Sequence, residues 1–279
     1  MPTFTDAFGV AVTYYEYPVD DPKGVVQLAH GIGEHAGRYV HVAAALNAAG
    51  YAVYANDHRG HGQTGLAQWG GDTAKLGKLG PGGLRATVED LRQLGGILRD
   101  RHPSAPLVLL GHSWGSLMAQ RLINEHAADY DGVVLTGTAY RMLGSMRSGD
   151  LNVRHKKLGT TGHEWLSRDV AVHTAFSDDP LTFAADTIQK LGIADAMRLL
   201  GRPSRNLERD LPLLIQVGSD DSLGGEKSVV KLANAYRTRS RLSDVTVHIY
   251  TDARHEIFNE LNKEEVLADL VAWLDGRFS

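Results

Sequence analysis

The stretch that decides the fold is PLVLLGHSWGSLMAQRLI, residues 106–123. An apolar run leads into Ser113, and a helix-like pattern of apolar residues follows it. A strand that turns abruptly into a helix forces the junction residue into a strained backbone conformation, in which side chains two positions away would collide. Gly111 and Gly115 remove those side chains. The pattern G-x-S-x-G therefore predicts a tight strand–turn–helix junction that holds the Ser113 hydroxyl clear of a sheet.

The rest of the chain repeats this alternation of short apolar runs and helical segments. Residues 4–17 have the weak alternation of a β-hairpin. We predict further strands at 25–30, 51–57, 106–110, 132–138, 211–218 and 245–250, and helices at 38–50, 84–100, after Ser113 and from Lys263 onward. The alternation is typical of an α/β protein whose mostly parallel sheet, here of eight strands, has helices on both faces.

One long segment breaks this rhythm. Residues 140–206 separate two predicted strands and contain only short helical patterns and scattered polar residues. A structureless loop of that length is uncommon inside a compact domain. We therefore predict a core made of residues 1–139 and 207–279, with residues 140–206 inserted as a helical cap.

The composition limits the classes of function. The chain has 279 residues, a formal net charge of −4 and no cysteine. The lack of cysteine excludes disulfides, thiolate metal sites and a cysteine nucleophile, and the acidic balance argues against a nucleic-acid partner. The N-terminus lacks a signal-peptide pattern, and no stretch approaches the roughly 20 apolar residues that span a bilayer. We expect a cytoplasmic protein; the oligomeric state stays open.

A serine needs a base to become nucleophilic, and the base needs an orienting acid. The expected chain order is serine, acid, histidine. Asp220 and Asp221 follow the strand at 211–218, and His255 follows the strand at 245–250. We prefer Asp221 over Asp220 because one more residue lets the turn leave the strand before the carboxylate points back, and Asp252 is a weaker third candidate.

These residues predict acyl transfer without a cofactor or a metal. His255 takes the proton of Ser113, which attacks an ester carbonyl, while Asp221 orients the imidazole. The tetrahedral oxyanion needs two backbone N–H donors. One is expected from Trp114, directly after the nucleophile, and the other from Ile32 in the glycine-rich turn after the first long strand.

Two other readings of the sequence stay open. GIGEHA, residues 31–36, fits a dinucleotide-binding turn with Asp57 at the end of the next strand, which would suit an NAD(P)-dependent oxidoreductase. His30 interrupts the apolar run before that turn, however, and this reading leaves Ser113 unexplained. A catalytically inactive scaffold of the same fold is the third reading.

NDHRGHG, residues 56–62, raises the question of a metal site at His58 and His61. No carboxylate or third histidine has matching spacing. A turn that is braced by Asp57 and Arg59 is the preferred interpretation.

Several motifs together resemble the α/β-hydrolase superfamily, and within it the monoacylglycerol lipase and lysophospholipase group. The matching residues are His30-Gly31-Ile32-Gly33-Glu34-His35 with Arg38-Tyr39, Asp57-His58-Arg59-Gly60-His61-Gly62, Gly111-His112-Ser113-Trp114-Gly115, Asp179-Pro180-Leu181, Gly218-Ser219-Asp220-Asp221, and Arg254-His255-Glu256 with Asn259-Glu260. The resemblance implies hydrolysis of carboxylic esters with one acyl chain under a mobile cap. It also implies the same triad of Ser113, Asp221 and His255, with the Ile32 and Trp114 amides as the oxyanion hole.

The cap residues that would line an acyl site are the hardest to predict. Gly31 and, from the cap, Leu143, Met146, Leu151, Phe176 and Leu181 are our substrate-binding candidates. Leu158, Trp165 and Phe183 are further apolar residues of the same segment. Trp114 stands where a methionine is usual in the group that the chain resembles, and we expect its bulk to narrow the acyl site. A cap with exposed apolar residues is also expected to touch membranes or micelles transiently.

Overall fold

The computed structural model describes residues 1–184 and 187–278, and its centre is an eight-stranded sheet. The strands, in chain order, are β1 (Thr3–Thr5), β2 (Ala11–Tyr17), β3 (Gly24–Ala29), β4 (Tyr51–Asn56), β5 (Leu107–His112), β6 (Gly132–Thr136), β7 (Leu213–Gly218) and β8 (Val245–Tyr250). All eight predicted strands are present, with ends that differ from the predicted ones by up to two residues, apart from the short first strand of the hairpin.

The sheet has the order β1-β2-β4-β3-β5-β6-β7-β8. β1 and β2 form the predicted hairpin, and β2 also pairs antiparallel with β4. The pairs from β4 through β8 are parallel, so the carboxyl ends of these strands lie along one edge. This is the α/β-hydrolase fold that the sequence predicts.

Helices cover both faces of the sheet. They are α1 (Val40–Ala48), α2 (Gly62–Gln68), α3 (Gly83–Arg101), α4 (Trp114–His126), α5 (Val170–Asp178), α6 (Thr187–Leu191), α7 (Ile193–Arg198), α8 (Gly225–Thr238) and α9 (Lys263–Phe278). The apolar residues of α1 and α9 belong to one buried cluster, and those of α3, α4 and α8 belong to another. Each face of the sheet therefore has its own hydrophobic core, since strands buried on both faces need cover on both.

Three helical segments of the core differ from the predictions, and one of them is α8, which the sequence analysis does not include. The segment predicted at 38–50 begins as a 3₁₀ turn, Ala36–Tyr39, before α1. α2 was not predicted, because two glycines in GQTGLAQ hide the helical pattern. Its start is fixed by Asp57, whose Oδ2 accepts a hydrogen bond of 2.7 Å from the Gln63 N–H.

The chain between β6 and β7 contains α5, α6, α7 and a 3₁₀ turn at Leu151–Arg154. Within its described part, the only strand-like feature is an isolated bridge between Leu143 and Met146. Residues 185 and 186 lie outside the described residues. The division into a core and a cap at 140–206 stays a prediction, and we use the word cap for that range. None of the helices in residues 1–184 and 187–278 has the length and apolar character needed to cross a bilayer.

Candidate active site

Ser113 occupies the junction between β5 and α4, with a backbone φ of 52° and ψ of −122°. A positive φ is rare for a residue with a side chain and signals local strain. A Cβ on Gly111 would approach the Ser116 Cα to 2.7 Å, and a Cβ on Gly115 would approach the Ala29 carbonyl oxygen to 2.1 Å. Both glycines are therefore required by the close packing of β5, β3 and α4 around the serine, as the sequence pattern predicts.

The structure brings Ser113, His255 and Asp221 into contact. His255 Nε2 lies 2.8 Å from Ser113 Oγ, and His255 Nδ1 lies 2.9 Å from Asp221 Oδ1. All three side chains are buried, and Ser113 is the most accessible of them at 8% exposure. Because the Nδ1–H donates its hydrogen bond to the carboxylate, Nε2 is left as the acceptor for the serine hydroxyl, which is the arrangement that a base needs.

The two neighbouring aspartates have different partners. Asp221 is 1% exposed and bonds to His255 and to the Leu223 N–H. Asp220 turns outward and pairs with Arg154 at 2.6 Å and with His155 at 2.8 Å. Asp252 is exposed in a left-handed turn conformation. The geometry thus agrees with the preference for Asp221 that was argued from the length of the turn.

The electrostatic surroundings favour a proton on His255. Burial would lower the pKa of its imidazole, but the Coulomb attraction and hydrogen bond of Asp221 outweigh burial and raise this pKa above the ordinary value of 6.5. His112, whose ring centroid lies 5.0 Å from that of His255, has a pKa lowered by burial to about 3. His112 therefore stays neutral and adds no opposing charge when His255 is protonated.

The turn after β3 faces Ser113 closely. A Cβ on Gly31 would approach the Ser113 Cβ to 3.0 Å. The Gly31 N–H donates to Glu34 Oε1 at 2.6 Å, so this amide is already occupied. Ile32 and Trp114 line one cavity together with Ser113. Ile32 and Trp114, whose amides sequence analysis predicts for an oxyanion hole, therefore border the same cavity as the serine, and the role of these amides stays a proposal.

A buried ion network braces this turn, and its contacts were not predicted. Arg38 donates to both carboxylate oxygens of Glu256, at 2.6 and 2.8 Å, and to Glu34 Oε2 at 2.7 Å. Tyr39 donates to Glu34 Oε1 at 2.7 Å. Burial would raise the pKa of Glu256, but Arg38 lowers it to about 2. The network links the Gly31 turn to the residue after His255, two segments more than 200 positions apart.

The indole of Trp114 is buried in the core, where it packs against two histidine rings. It is 2% exposed, stacks on His61 with centroids 5.2 Å apart and meets His58 edge-on at 5.4 Å. His58 and His61 have pKa values that burial lowers to about 3 and about 4, so they pack as neutral aromatic rings. Trp114 also lines the cavity beside Ser113, so the expected narrowing of the acyl site by the bulk of Trp114 stays a prediction.

The substrate-binding candidates are only partly brought together. Two narrow cavities flank Ser113. One, of about 30 Å³, has Leu151 in its wall, and the other, of about 10 Å³, has Gly31 and Phe176. Met146 instead lines a larger cavity of about 640 Å³ behind Asp221.

Two candidates lie elsewhere. Leu143 is 79% exposed. Leu181 is half-buried and follows Asp179, which pairs with His35 at 2.8 Å. Among the described residues, neither belongs to the walls of the two cavities beside Ser113, so we do not retain them as acyl-site residues.

The features that suggested a dinucleotide or a metal have other partners. Asp57 is buried, and its Oδ1 accepts a hydrogen bond of 2.8 Å from the Ala36 N–H. Its carboxylate therefore caps the turn that the rival reading assigned to a pyrophosphate. His58 Nε2 donates to the His30 carbonyl oxygen, and His61 Nδ1 donates to the Arg59 carbonyl oxygen. Arg59 itself is buried against Asp6 and Asp90, so this segment is a braced structural turn.

Comparisons with known proteins identify the class to which this protein belongs. A family model described as serine aminopeptidase, S33, matches residues 20–262, and the chain belongs to this family of α/β-hydrolases. The monoacylglycerol lipase of Mycolicibacterium smegmatis is 34% identical over an alignment 291 residues long, which covers 98% of this chain and 95% of that protein.

Two solved structures agree with this class. A lipase in an open form superposes with a TM-score of 0.82 and 27% identity, over 99% of this chain and 98% of that chain. A thermostable carboxyl esterase from Bacillus coagulans, in complex with glycerol, gives a TM-score of 0.83 and 25% identity over the same shares. The protein is a carboxylic-ester hydrolase of the monoacylglycerol lipase-like kind.

Proposed function

We propose that the protein hydrolyses esters of monoacyl lipids through a Ser113–His255–Asp221 triad and an acyl-enzyme intermediate. The proposal depends on one observation: His255 lies within hydrogen-bond distance of both Ser113 Oγ and Asp221 Oδ1. This is the geometry that lets a serine hydroxyl lose its proton as it attacks a carbonyl.

The proton follows a closed path in this mechanism. Ser113 Oγ bonds to the ester carbon while its proton passes to His255 Nε2, and the carbonyl electron pair moves to the oxygen. The N–H groups of Ile32 and Trp114 hold that oxyanion, each being worth about 3–4 kcal/mol. The intermediate then collapses, and the leaving alkoxide takes the proton from Nε2. A water molecule repeats both steps on the acyl-enzyme and regenerates the serine.

The two cavities beside Ser113 suggest where each half of the ester lies. His255 must reach the leaving oxygen, so we assign the alcohol to the cavity that His255 lines with Gly31, Glu34 and Glu256. The other cavity is lined by apolar side chains and suits the acyl chain; these are Ile32, Trp114, Leu117, Leu151, Trp165, Leu199 and Leu223. Monoacyl esters of a small polyol, which the Mycolicibacterium relative is named for, fit this division.

The small size of the acyl cavity favours one alternative. A cavity of about 30 Å³ is far smaller than a long acyl chain, so such a chain enters only when cap side chains move aside. A short-chain carboxylesterase or lactonase that uses the same triad needs less movement. Chain length is therefore the property that separates the two candidates.

The test is a panel of p-nitrophenyl esters and monoacylglycerols of graded chain length, with Ser113→Ala as the control. We expect activity on long-chain monoacylglycerols, covalent labelling by a fluorophosphonate, and a loss of about 10⁶ in kcat in the S113A variant. Hydrolysis by S113A at the wild-type rate would eliminate the triad. Strict preference for acetyl and butyryl esters would keep the triad and replace the lipid substrate with a short-chain ester.

The proposal also includes a transient contact between the cap and a lipid surface. Val153, Leu158, Ile193 and Met197 are cap residues whose side chains are more than half exposed. Exposed apolar side chains of this kind favour contact with lipid. We place the enzyme in the cytoplasm, because a chain without cysteine forms no disulfides and so does not need an oxidising compartment. Sedimentation with phosphatidylcholine vesicles tests the contact, because L158S and I193S should each reduce the bound fraction.

A further inference from the structure

One cap residue lies directly on the base of the proposed triad. The indole of Trp165 is 9% exposed, and its ring centroid lies 4.7 Å from that of the His255 imidazole, with 37° between the planes. Sequence analysis names Trp165 only as one of several apolar residues of the cap. The contact is therefore new information about how the cap meets the reacting groups.

Hydrogen bonds fasten Trp165 to the loop that carries His255. The His255 N–H donates to the Trp165 carbonyl oxygen at 3.3 Å, and the Glu256 N–H donates to the Leu166 carbonyl oxygen at 2.7 Å. Arg254 donates to the carbonyl oxygens on either side of this pair, those of Glu164 at 2.6 Å and Ser167 at 2.9 Å. The backbone of the cap and the backbone of the histidine loop are thus bonded to each other at the point where the two rings meet.

Side chains extend this attachment beyond the two rings. Ser167 Oγ donates to the Asn259 carbonyl oxygen at 2.9 Å, and Arg168 Nε donates to the buried Glu260 at 2.8 Å. On the other side, the Trp165 N–H donates to Asn152 Oδ1 at 2.9 Å. The backbone of Trp165 is therefore held by the histidine loop on one side and by Asn152 on the other.

Trp165 also lies between the two halves of the proposed substrate site. It lines the cavity that contains His255 and Glu256 and the cavity that contains Leu117 and Leu151. A movement of its ring would change the space around the imidazole and around the acyl chain together.

We propose that Trp165 is a positioning residue, whose indole restricts the His255 imidazole to the orientation that meets both Ser113 and Asp221. The inference rests on the proposed triad. Rotation about the second side-chain torsion of histidine has broad minima, so packing against the ring acts together with the Asp221 hydrogen bond to select one orientation. Proton transfer depends on that orientation, since a misplacement of about 1 Å can lower a rate by about 10²-fold.

The experiment compares Trp165→Leu and Trp165→Phe with Trp69→Leu as the matched control. Trp69 is a second tryptophan, which packs beside Lys75 on the outside of the protein. The readouts are the rate constant for labelling of Ser113 by a small dialkyl fluorophosphate, kcat and KM for p-nitrophenyl acetate, and the melting temperature. Small probes are used because they leave the acyl cavity largely untouched, so the rate reports on the base.

We expect W165L to lower the labelling rate constant and kcat by about 10- to 100-fold with little change in KM. W165F, which restores a flat ring, should recover the rate to within about threefold of wild type. W69L should label at the wild-type rate. If W165L does not fold, Trp165→Met fills more of the same volume without a ring and replaces it in the comparison.

Two results would overturn the inference. One is a W165L variant that labels as fast as W69L while its melting temperature falls, which would make Trp165 a packing residue. The other is a W165F variant that is as slow as W165L, which would show that the ring is not the cause. Failure of the wild-type enzyme to label would instead count against Ser113, and so against the proposed function.

Discussion

The rim of the sheet and the cap that covers it are built in opposite ways. On the rim, Ser113, Asp221 and His255 follow the ends of β5, β7 and β8, which neighbouring strands hold in register. The cap is made of short helices, and several of its large apolar side chains are exposed. The contrast follows from what each region has to do: the proposed reacting groups need rigid strand ends, whereas the surface that would select the acyl chain is built from segments with fewer constraints.

Hydrogen bonds and ion pairs join the two regions at several points. His35 pairs with Asp179 at 2.8 Å, and the Phe183 N–H donates to the Gly33 carbonyl oxygen at 2.9 Å. Both contacts join the cap to the turn next to the proposed oxyanion donor Ile32, while Trp165 joins it to the base. Changes in the rim should therefore affect the chemistry itself, and most changes in the cap should affect which ester is accepted.

After loss of Ser113 itself, substitution of the orienting acid should reduce the activity most. Asp221→Asn keeps the size of the side chain but removes the charge that selects the imidazole tautomer, so we expect kcat to fall by about 10⁴-fold. Asp220→Asn is the matched control at the next residue, and it should lower kcat by about threefold or less because Asp220 pairs with Arg154 at the surface. Steady-state kinetics on one soluble ester measure both. Equal losses in the two variants would mean that the acid has been assigned to the wrong position.

The ion network of the rim should matter more for stability than a comparable pair in the cap. Arg38→Ala leaves two buried carboxylates, Glu34 and Glu256, without their cation, so we expect a loss of about 3–5 kcal/mol in the free energy of unfolding. Arg198→Ala breaks a half-exposed cap pair with Asp195 and should cost about 0.5 kcal/mol or less. Urea denaturation of both variants provides the values. A smaller loss for R38A than for R198A would contradict the contrast between rim and cap.

The pH dependence of kcat/KM should depend on groups of the rim and not on groups of the cap. Burial would lower the pKa of His255, but Asp221 raises it above 6.5, so kcat/KM should rise with pH through an apparent pKa above that value. The stability of the fold has the opposite dependence on pH. The charged imidazole contributes to stability fully below the pKa that His255 has in the unfolded chain, and this contribution is lost as pH rises through its pKa in the folded protein.

The D221N variant sharpens this test. Without the carboxylate, burial remains, and the rising limb of kcat/KM should move to lower pH. Rate profiles between pH 5 and 9 measure the limb, with D220N as the control whose limb stays in place. A limb that D221N leaves unchanged would mean that another group titrates.

The smallest expected effect belongs to the cap. Leu151→Ala enlarges the cavity beside Ser113, so we expect kcat/KM for long-chain esters to change by about 5- to 10-fold relative to p-nitrophenyl acetate. Leu143→Ala removes an equal side chain from an exposed turn and should leave the ratio unchanged. A chain-length series for both variants measures the ratio. If L143A shifts the preference as much as L151A, the cap moves far more than the present geometry implies.

Local sequence was sufficient for the sheet and for the serine junction. The period of apolar residues predicts every strand to within a few residues, and the two glycines around Ser113 report a steric need that no other residue meets. It did not predict α8, and it did not predict α2 because glycines weaken the helical signal and the start of this helix depends on Asp57 from an earlier turn. The prediction for the cap was weakest, because short helices have little periodicity and because the sequence does not distinguish the surroundings of Leu143 from those of Leu151.

The sequence alone was enough to propose which groups react and in what chain order, because the carboxyl ends of parallel strands lie along one edge of a sheet, and a serine, an aspartate and a histidine follow three of these ends. The surroundings of these groups depend on the tertiary structure. Arg38 braces Glu256 across 218 positions, and Trp165 packs against His255 across 90. Such contacts depend on how separate elements pack, and a pattern along the chain carries no record of distance between them.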